Sequence, residues 1–543
     1  VKLILLAAAA VTATLAATPS DVSISPDRLS ASVRVLASDA LEGRAPGSAG
    51  EAHTIEWLIA QFKALGVEPG GPNGSWTQPV PLIRTQLGMG TAAVAFGGEG
   101  AAMPLVQGRD LYVSTVQPVS QVRIADAPMV FVGYGVSAPE RGWDDFKGID
   151  LKGKVAVFLV NDPDFEAQPG EAVADRFGGR RMTYYGRWTY KFEEAARRGA
   201  VAALIVHDTP GAGYGWETVT APRGENFDIA DSSGRVPLQG WLSGEAATAL
   251  FGRAGQDLAA LRRQARRADF RPVVLGSARF STDLPVRTSR IESRNLLARI
   301  PGSERPDEVV MYGAHWDAYG KAEDGTIRPG ANDDALGVAG LVEIARAFKA
   351  GPAPKRSVVF GLWTAEERGL LGSEAYAARP VYPAAKTVAN ITLDILQSGG
   401  PARDVMLVGQ GQNELERDLA AAAGTKGRTV TPEALPERGL FYRADHFSLA
   451  KRGVPTLLFM AISGAPDLVA GGRTAGEAWL KAYMACYHQA CDNWRADWDL
   501  RGAAADVTLA YQVGRDLAVS KRWPSWNAGS EFLATRRESL AAR

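Results

Sequence analysis

Residues 306–348 read PDEVVMYGAHWDAYGKAEDGTIRPGANDDALGVAGLVEIARAF. Residues 309–314 form an apolar run of strand length that breaks at His315-Trp316-Asp317. Gly330-Ala331-Asn332-Asp333-Asp334 then leads straight into a helical pattern over 335–348. Strand, polar loop and amphipathic helix are the repeating unit of an α/β sheet. The same grammar recurs downstream. Apolar runs bounded by turn signals lie at 295–300, 357–363, 388–393, 405–408 and 455–460, and helical patterns at 415–422 and 503–518. From about residue 293 onward the chain therefore reads as an α/β domain with a mixed, largely parallel sheet.

Working outward, 25–82 has helical character: Ser25-Pro26-Asp27 opens a helix reaching about Leu36. Ile55, Leu58, Ile59, Phe62 and Leu65 recur at helical spacing, ending at Gly66. The stretch of about 88–285 differs. It carries many short β-like runs punctuated by Gly and Pro, with one clear helix over 190–198, and reads as a β-rich insert between two parts of another domain. At the amino end, Lys2, an apolar run over 3–11 and small residues through Ala17 read as a secretory signal peptide, with export expected. The run is well short of the ~20 apolar residues that span a bilayer.

Composition narrows the functional classes. Lys+Arg and Asp+Glu are each 60, so no global field draws the chain to nucleic acid or anionic lipid. With five histidines and two cysteines, a zinc-finger array or a disulfide scaffold is out of reach.

Ligands of open α/β sheets collect at the carboxyl ends of the strands. Those positions hold His315, Asp317, Asp333, Asp334, Glu366, Glu367 and Asp394, while His488 lies in a later loop with Asp492 four residues on. Taken singly, each has a bland reading, and Asn332 and Asp334 sit where a helix N-cap belongs. Together the carboxylates need a compensating cation, and imidazole with carboxylate suits zinc. One histidine and one carboxylate per ion, plus one carboxylate shared, makes five ligands for two zinc ions: His315, Asp333, Glu367, Asp394 and His488. Other divalent ions compete for such sites. Asp317 is placed to hold the second nitrogen of His315. Glu366, left over beside a ligand, is placed as a general base. Adjacent residues on a regular strand face opposite ways, so Glu366 and Glu367 both reach the site only if the backbone turns there.

These segments resemble the co-catalytic zinc exopeptidases of metallopeptidase family twenty-eight, which include secreted bacterial aminopeptidases and glutamate carboxypeptidase. The matching stretches are GAHWDAYG (313–320), PGANDDALGVAGLVEIAR (329–346), TAEERGLLGS (364–373), ITLDIL (391–396), ADHFSLAKRGVP (444–455) and YHQACDNW (487–494). LEGRAPGSAGE (41–51) is similar to the family's amino-terminal segment, and 130–163 to an inserted protease-associated domain. The resemblance implies a three-layer α/β/α zinc-exopeptidase sandwich, divided as signal peptide 1–17, amino-terminal part 25–87, insert 88–287 and catalytic domain 288–543. It carries the metal-ligand role onto His315, Asp333 (bridging), Glu367, Asp394 and His488, the base onto Glu366, and the orienting residue onto Asp317. His446 in ADHFSLAKRG is a supporting or structural residue in that pattern, and Tyr442 is a candidate oxyanion donor. Leu336 and Ile395-Leu396 depart from the family's usual residues and reshape the pocket rather than the ligand set.

The expected activity is removal of amino-terminal residues from peptides. The alternatives are a carboxypeptidase of the glutamate carboxypeptidase type, a glutaminyl cyclase, or a non-catalytic receptor-like relative. A carboxypeptidase requires convergent Arg or Lys for the substrate carboxylate. Three features keep two readings at this level. Cys486 and Cys491, flanking His488, are either a disulfide or two buried thiols. The aromatic run 184–190 is either core of the insert or a wall over the cleft. Arg44 is either a surface arginine or a specific contact.

Overall fold

Four strands, Thr456–Phe459, Thr387–Leu393, Arg305–His315 and Arg356–Trp363, lie side by side in that order and all parallel. They come from the computed structural model of the chain, which describes residues 22–97, 101–230 and 233–541. The expected signal segment 1–17 lies outside the described residues. Thr387–Leu393 and Arg356–Trp363 are buried along their whole length, because helices cover both faces of the sheet. That is why they read as continuous apolar runs rather than as alternating patterns.

Strand geometry assigns the two faces. Along Arg305–His315, Val310, Tyr312 and Ala314 enter one core, and Val309 and Met311 enter the other. The first core is closed by helices Pro26–Leu36, Ala49–Ala64, Leu336–Ala350 and Arg501–Val519, through Leu29, Leu58, Leu341 and Val507. The second is closed by Leu371–Ala378 and His446–Ala450, through Tyr376 and Leu449. The result is an α/β/α arrangement of three layers. Each large apolar side chain buried this way contributes about 1.5–3 kcal/mol. Helix entry follows local rules: the Ser25 hydroxyl accepts from Arg28 N–H at 3.3 Å, and the Ser48 hydroxyl from Glu51 N–H at 3.2 Å.

The long strand Val273–Ile300 joins two sheets. Its second half pairs antiparallel with Arg356–Trp363 and Thr77–Leu87, while its first half pairs with Gln121–Phe131. Beyond Gln121–Phe131 follow Val155–Leu159, Ala202–Val206, Leu238–Leu242 and Leu111–Ser114. These strands have their own core around Phe131, Leu204 and Phe251.

Three sequence readings need correction. The β-rich stretch contains helices Gly244–Arg253 and Leu258–Ala265 besides Trp188–Arg197. They are short, so their periodicity covers few turns, yet Leu250, Phe251, Leu261 and Ala265 fill the core. The run at 405–408 forms Asp404–Leu407, which pairs with Thr429–Pro432 outside the main sheet. The aromatic run is neither purely core nor a cleft wall. The Tyr184 ring lies 5.1 Å from Tyr190 within the β-rich stretch and 5.3 Å from Phe447 in the helix His446–Ala450.

Candidate metal centre

The parallel strands end together, and their loops bring the carboxylates and imidazoles to one edge. His315 is the last residue of its strand. Its Nε2 lies 3.1 Å from Asp333 Oδ1 and 4.0 Å from both Asp394 Oδ1 and Glu366 Oε2. His488 Nε2 lies 3.2 Å from Asp333 Oδ2 and 3.2 Å from Glu367 Oε2. Asp333 therefore faces one histidine with each oxygen. The donor atoms of His315, Asp333 and Asp394 fall within 4.8 Å of one another, and so do those of Asp333, Glu367 and His488.

The turn needed to aim both glutamates is present. Ala365 adopts φ 52°, ψ 36°, and Glu366–Arg368 form a single tight helical turn. A left-handed alanine is uncommon and has to be held by its surroundings; here Gly369 N–H and Leu370 N–H both donate to the Glu366 carbonyl. Glu366 N–H donates to Asp317 Oδ1 at 3.0 Å, so Asp317 positions the backbone of the expected base. Toward His315, the hydrogen bond at Nδ1 is to the Asp317 main-chain carbonyl at 3.1 Å, with the carboxylate at 3.6 Å.

The loop carrying Asp333 is fixed from below. Asp492 accepts from Asn332 N–H at 3.0 Å and Asp333 N–H at 3.1 Å. Asp334 points away from the cluster centre and accepts from His315 N–H at 3.1 Å and Gly337 N–H at 3.0 Å, the helix-capping role that its position suggested. Gly337 is required there, since a Cβ would stand 2.2 Å from the Asp334 Oδ1.

Arg44 resolves in favour of a specific contact. Fully buried, it donates to the carbonyls of Trp316 at 2.7 Å, Leu36 and Pro329 at 2.6 Å each, and Gly330 at 2.9 Å. It thus ties the amino-terminal loop to the two segments that carry His315 and Asp333.

His488 is held from three sides. Tyr319 OH lies 3.1 Å from its Nδ1, the Tyr487 ring lies 3.6 Å away tilted by 31°, and Cys486 and Cys491 form a disulfide that closes its loop. The disulfide settles the cysteine alternative, with the Cα atoms 5.1 Å apart.

Electrostatics tests whether these residues suit a metal. Burial drives Asp394 up to about 8, with Asp333 adding to the shift, and Asp394 Oδ1 is buried with no hydrogen-bond partner. Burial first, then neighbouring carboxylates, also raises Glu367 well above the ordinary range. Burial likewise raises Asp333, but hydrogen bonds from both histidines outweigh it and hold this carboxyl below the usual range. Two nitrogen donors and a surplus of acidic oxygens, one of them orphaned, are what a divalent cation neutralises. Donors that share a tetrahedral zinc at ~2.0–2.1 Å lie ~3.3 Å apart, close to the histidine–carboxylate separations here.

Two expected residues stay outside the cluster. The Tyr442 hydroxyl is buried and donates to Glu531 Oε1 at 2.8 Å, the same oxygen that accepts from Tyr184 N–H at 3.2 Å. His446 is fully buried beside the Phe441 ring at 4.8 Å, and burial pushes its pKa down to about 3. The residue that sequence reasoning passed over is Tyr487. Its ring lies 3.6 Å from that of His488, and burial, with Asp333 adding most among the charges, raises its phenol well above the ordinary value. Its signal was adjacency to His488.

Residues 295–512 match the model of Peptidase family M28. The chain is 29% identical over 222 residues to Leupeptin-inactivating enzyme 1 of Streptomyces exfoliatus, covering 40% of this chain and 48% of that one. It is 30% identical over 188 residues to the probable lipoprotein aminopeptidase LpqL of Mycobacterium tuberculosis, covering 32% and 35%. The chain thus spans about half or less of the length of these relatives. An aminopeptidase from Aneurinibacillus sp. strain AM-1 superposes with TM-score 0.49 at 20% identity, over 94% of this chain and 95% of that one. The residues matched by that family model, 295–512, hold all five expected ligands.

Proposed function

We propose that the protein is a zinc-dependent exopeptidase that removes amino-terminal residues from peptides. The observation that carries the reading is the division of donors about Asp333: His315 and Asp394 on one side, Glu367 and His488 on the other. Each trio would hold one ion, with Asp333 shared. Ions held there supply Lewis acidity to the scissile carbonyl and make water more acidic.

The chain's own residues do the rest. Glu366 sits beside the cluster with Oε2 4.0 Å from His315 Nε2 and is not needed as a ligand. It takes the proton of the attacking water and returns it to the departing amine. The Tyr487 phenol, kept protonated by burial, donates to the oxygen that gains charge as the carbonyl becomes tetrahedral. Asp317 keeps Glu366 and His315 in register through its carboxylate and its carbonyl. The excess of carboxylates at this edge favours a substrate end that carries positive charge, which supports an amino terminus over a carboxyl terminus. We further propose that residues 88–287 act as an insert bordering this edge, and that the mature protein is exported.

The test is the purified protein with a peptide mixture, half of it N-acetylated, read by mass spectrometry with and without a chelator. Chelator-sensitive shortening from unblocked amino ends supports the proposal. Trimming from carboxyl ends would replace it with a carboxypeptidase.

A further inference from the structure

His315 and His488 both turn Nε2 toward Asp333, but their second nitrogens meet different chemistry. His315 Nδ1 lies 3.1 Å from the Asp317 carbonyl and 3.6 Å from its carboxylate, and the side chain is 1% exposed. His488 Nδ1 lies 3.1 Å from a phenol, the Tyr319 hydroxyl, and its side chain is 28% exposed. His488 also sits at φ 61°, an uncommon backbone region for a residue other than glycine. Less packing therefore aims this ring, and more of the aim falls to its hydrogen bond.

Tyr319 is itself held in place. Ala318 N–H, just before it, donates to the Arg44 carbonyl at 3.4 Å. Gly320, just after it at φ 81°, starts the short antiparallel pair of Gly320–Lys321 with Ile327–Arg328, and a Cβ there would stand 2.5 Å from Ala45 Cβ. The guanidiniums of Arg328 and Arg368 lie 5.7 and 5.2 Å from the centre of the Tyr319 ring, within cation–π range. Arg368 also lies 4.8 Å from the Phe227 ring in strand Glu225–Ile229, and it follows Glu367, whose Oε2 faces His488 Nε2 at 3.2 Å. The phenol is thus braced both by its own loop and by the turn that carries Glu367.

The proton count gives the hydrogen bond its direction. A neutral imidazole carries one N–H, and a nitrogen that binds a cation has to offer its lone pair. For Nε2 to share a cation with Asp333 and Glu367, the proton has to reside on Nδ1, which then donates to the Tyr319 oxygen. A bond in the reverse sense, from phenol to Nδ1, would put the proton on Nε2 and close that nitrogen to metal. The second nitrogen of a metal-bound histidine is ordinarily given to a carboxylate, a main-chain carbonyl or water. Here a phenol oxygen stands in that place.

We infer that Tyr319 is the positioning residue of His488: its phenol oxygen accepts from Nδ1–H, which fixes the tautomer and aims Nε2 at the oxygens of Asp333 and Glu367. This rests on the metal-dependent reading of the site and refines its His488 half.

The experiment is competition for zinc between a chelator and the full chain, in wild type, Tyr319→Phe and Tyr319→Leu, beside urea unfolding of each metal-free form. Outer partners of metal-bound histidines are worth about 10–100-fold in affinity. We expect Tyr319→Phe, which keeps the ring beside its two guanidiniums, to unfold as wild type does. It should hold one equivalent of zinc unchanged and bind the other about 10–100-fold more weakly, with Tyr319→Leu losing at least as much. In zinc-loaded chain carrying 15N-labelled histidine, the Nδ1–H signal of His488, assigned by its absence in His488→Ala, should resist exchange in wild type and lose that protection in Tyr319→Phe. Two equivalents bound as tightly by Tyr319→Phe as by wild type, or a loss shared equally by both, overturns the role, since phenylalanine replaces a ring that only packs. A wild type that binds no zinc overturns the role and the zinc-exopeptidase reading together. The expected zinc pattern without trimming of peptides supports the role and removes the exopeptidase.

Discussion

Arg44→Met removes a guanidinium that satisfies four carbonyls while keeping the length and apolar volume of the side chain. Hydrogen bonds to charged groups contribute about 1.5–3 kcal/mol each, and a buried acceptor left unpaired costs about 1–3 kcal/mol. The four contacts share one group and do not add. We expect a loss of about 4 kcal/mol, a large share of the roughly 5–15 kcal/mol that holds a domain folded. The same change frees the carbonyls of Trp316 and Gly330, each close in sequence to a ligand, His315 or Asp333. Supports of metal ligands are worth about 10–100-fold in affinity when removed. Urea unfolding of the apo-protein gives the first quantity, and competition for zinc against a chelator gives the second. Arg44→Lys, with three donors on a point charge, recovers only part of either. If Arg44→Met unfolds within about 0.5 kcal/mol of wild type and binds zinc equally well, the clamp has no mechanical role.

Other expectations follow from the same geometry. Glu366→Gln should keep its metal and lose about 10²–10⁴-fold in kcat, as read by metal analysis beside single-substrate kinetics. Tyr487→Phe should lower kcat by about 10²–10³-fold with little change in KM, whereas Tyr442→Phe, whose hydroxyl serves Glu531, should spare kcat. Reduction of Cys486–Cys491 should weaken zinc on the His488 side, seen as a lower chelator concentration for half-inactivation. His446 gives a pH signature. Burial lowers its pKa from 6.5 to about 3, so the unfolded chain binds the extra proton throughout that window and stability falls as pH drops through it. At pH 4 the contribution is about 3 kcal/mol, and His446→Phe should show a correspondingly flatter acid limb in urea unfolding.

The α/β alternation was legible because strands covered on both faces read as unbroken apolar runs, and because His315, Asp333, Glu366, Glu367 and Asp394 fall where those runs stop. Three kinds of feature were less visible. Short helices such as Leu258–Ala265 leave too few turns for periodicity to show. Partners distant in sequence carry no local signal: Arg44 is 272 residues from Trp316, and Asp492 is 160 from Asn332. The direction of a tyrosine depends on packing: the sequence offers Tyr442 as an oxyanion donor, and only the fold shows its hydroxyl given to Glu531.

The most direct measurement is calorimetric titration of the metal-free protein with zinc, with activity followed in parallel. We expect two equivalents per chain in wild type, activity that rises as they bind, and one equivalent in His488→Ala. A single equivalent in wild type, or a stoichiometry that His488→Ala leaves unchanged, would contradict a centre shared through Asp333.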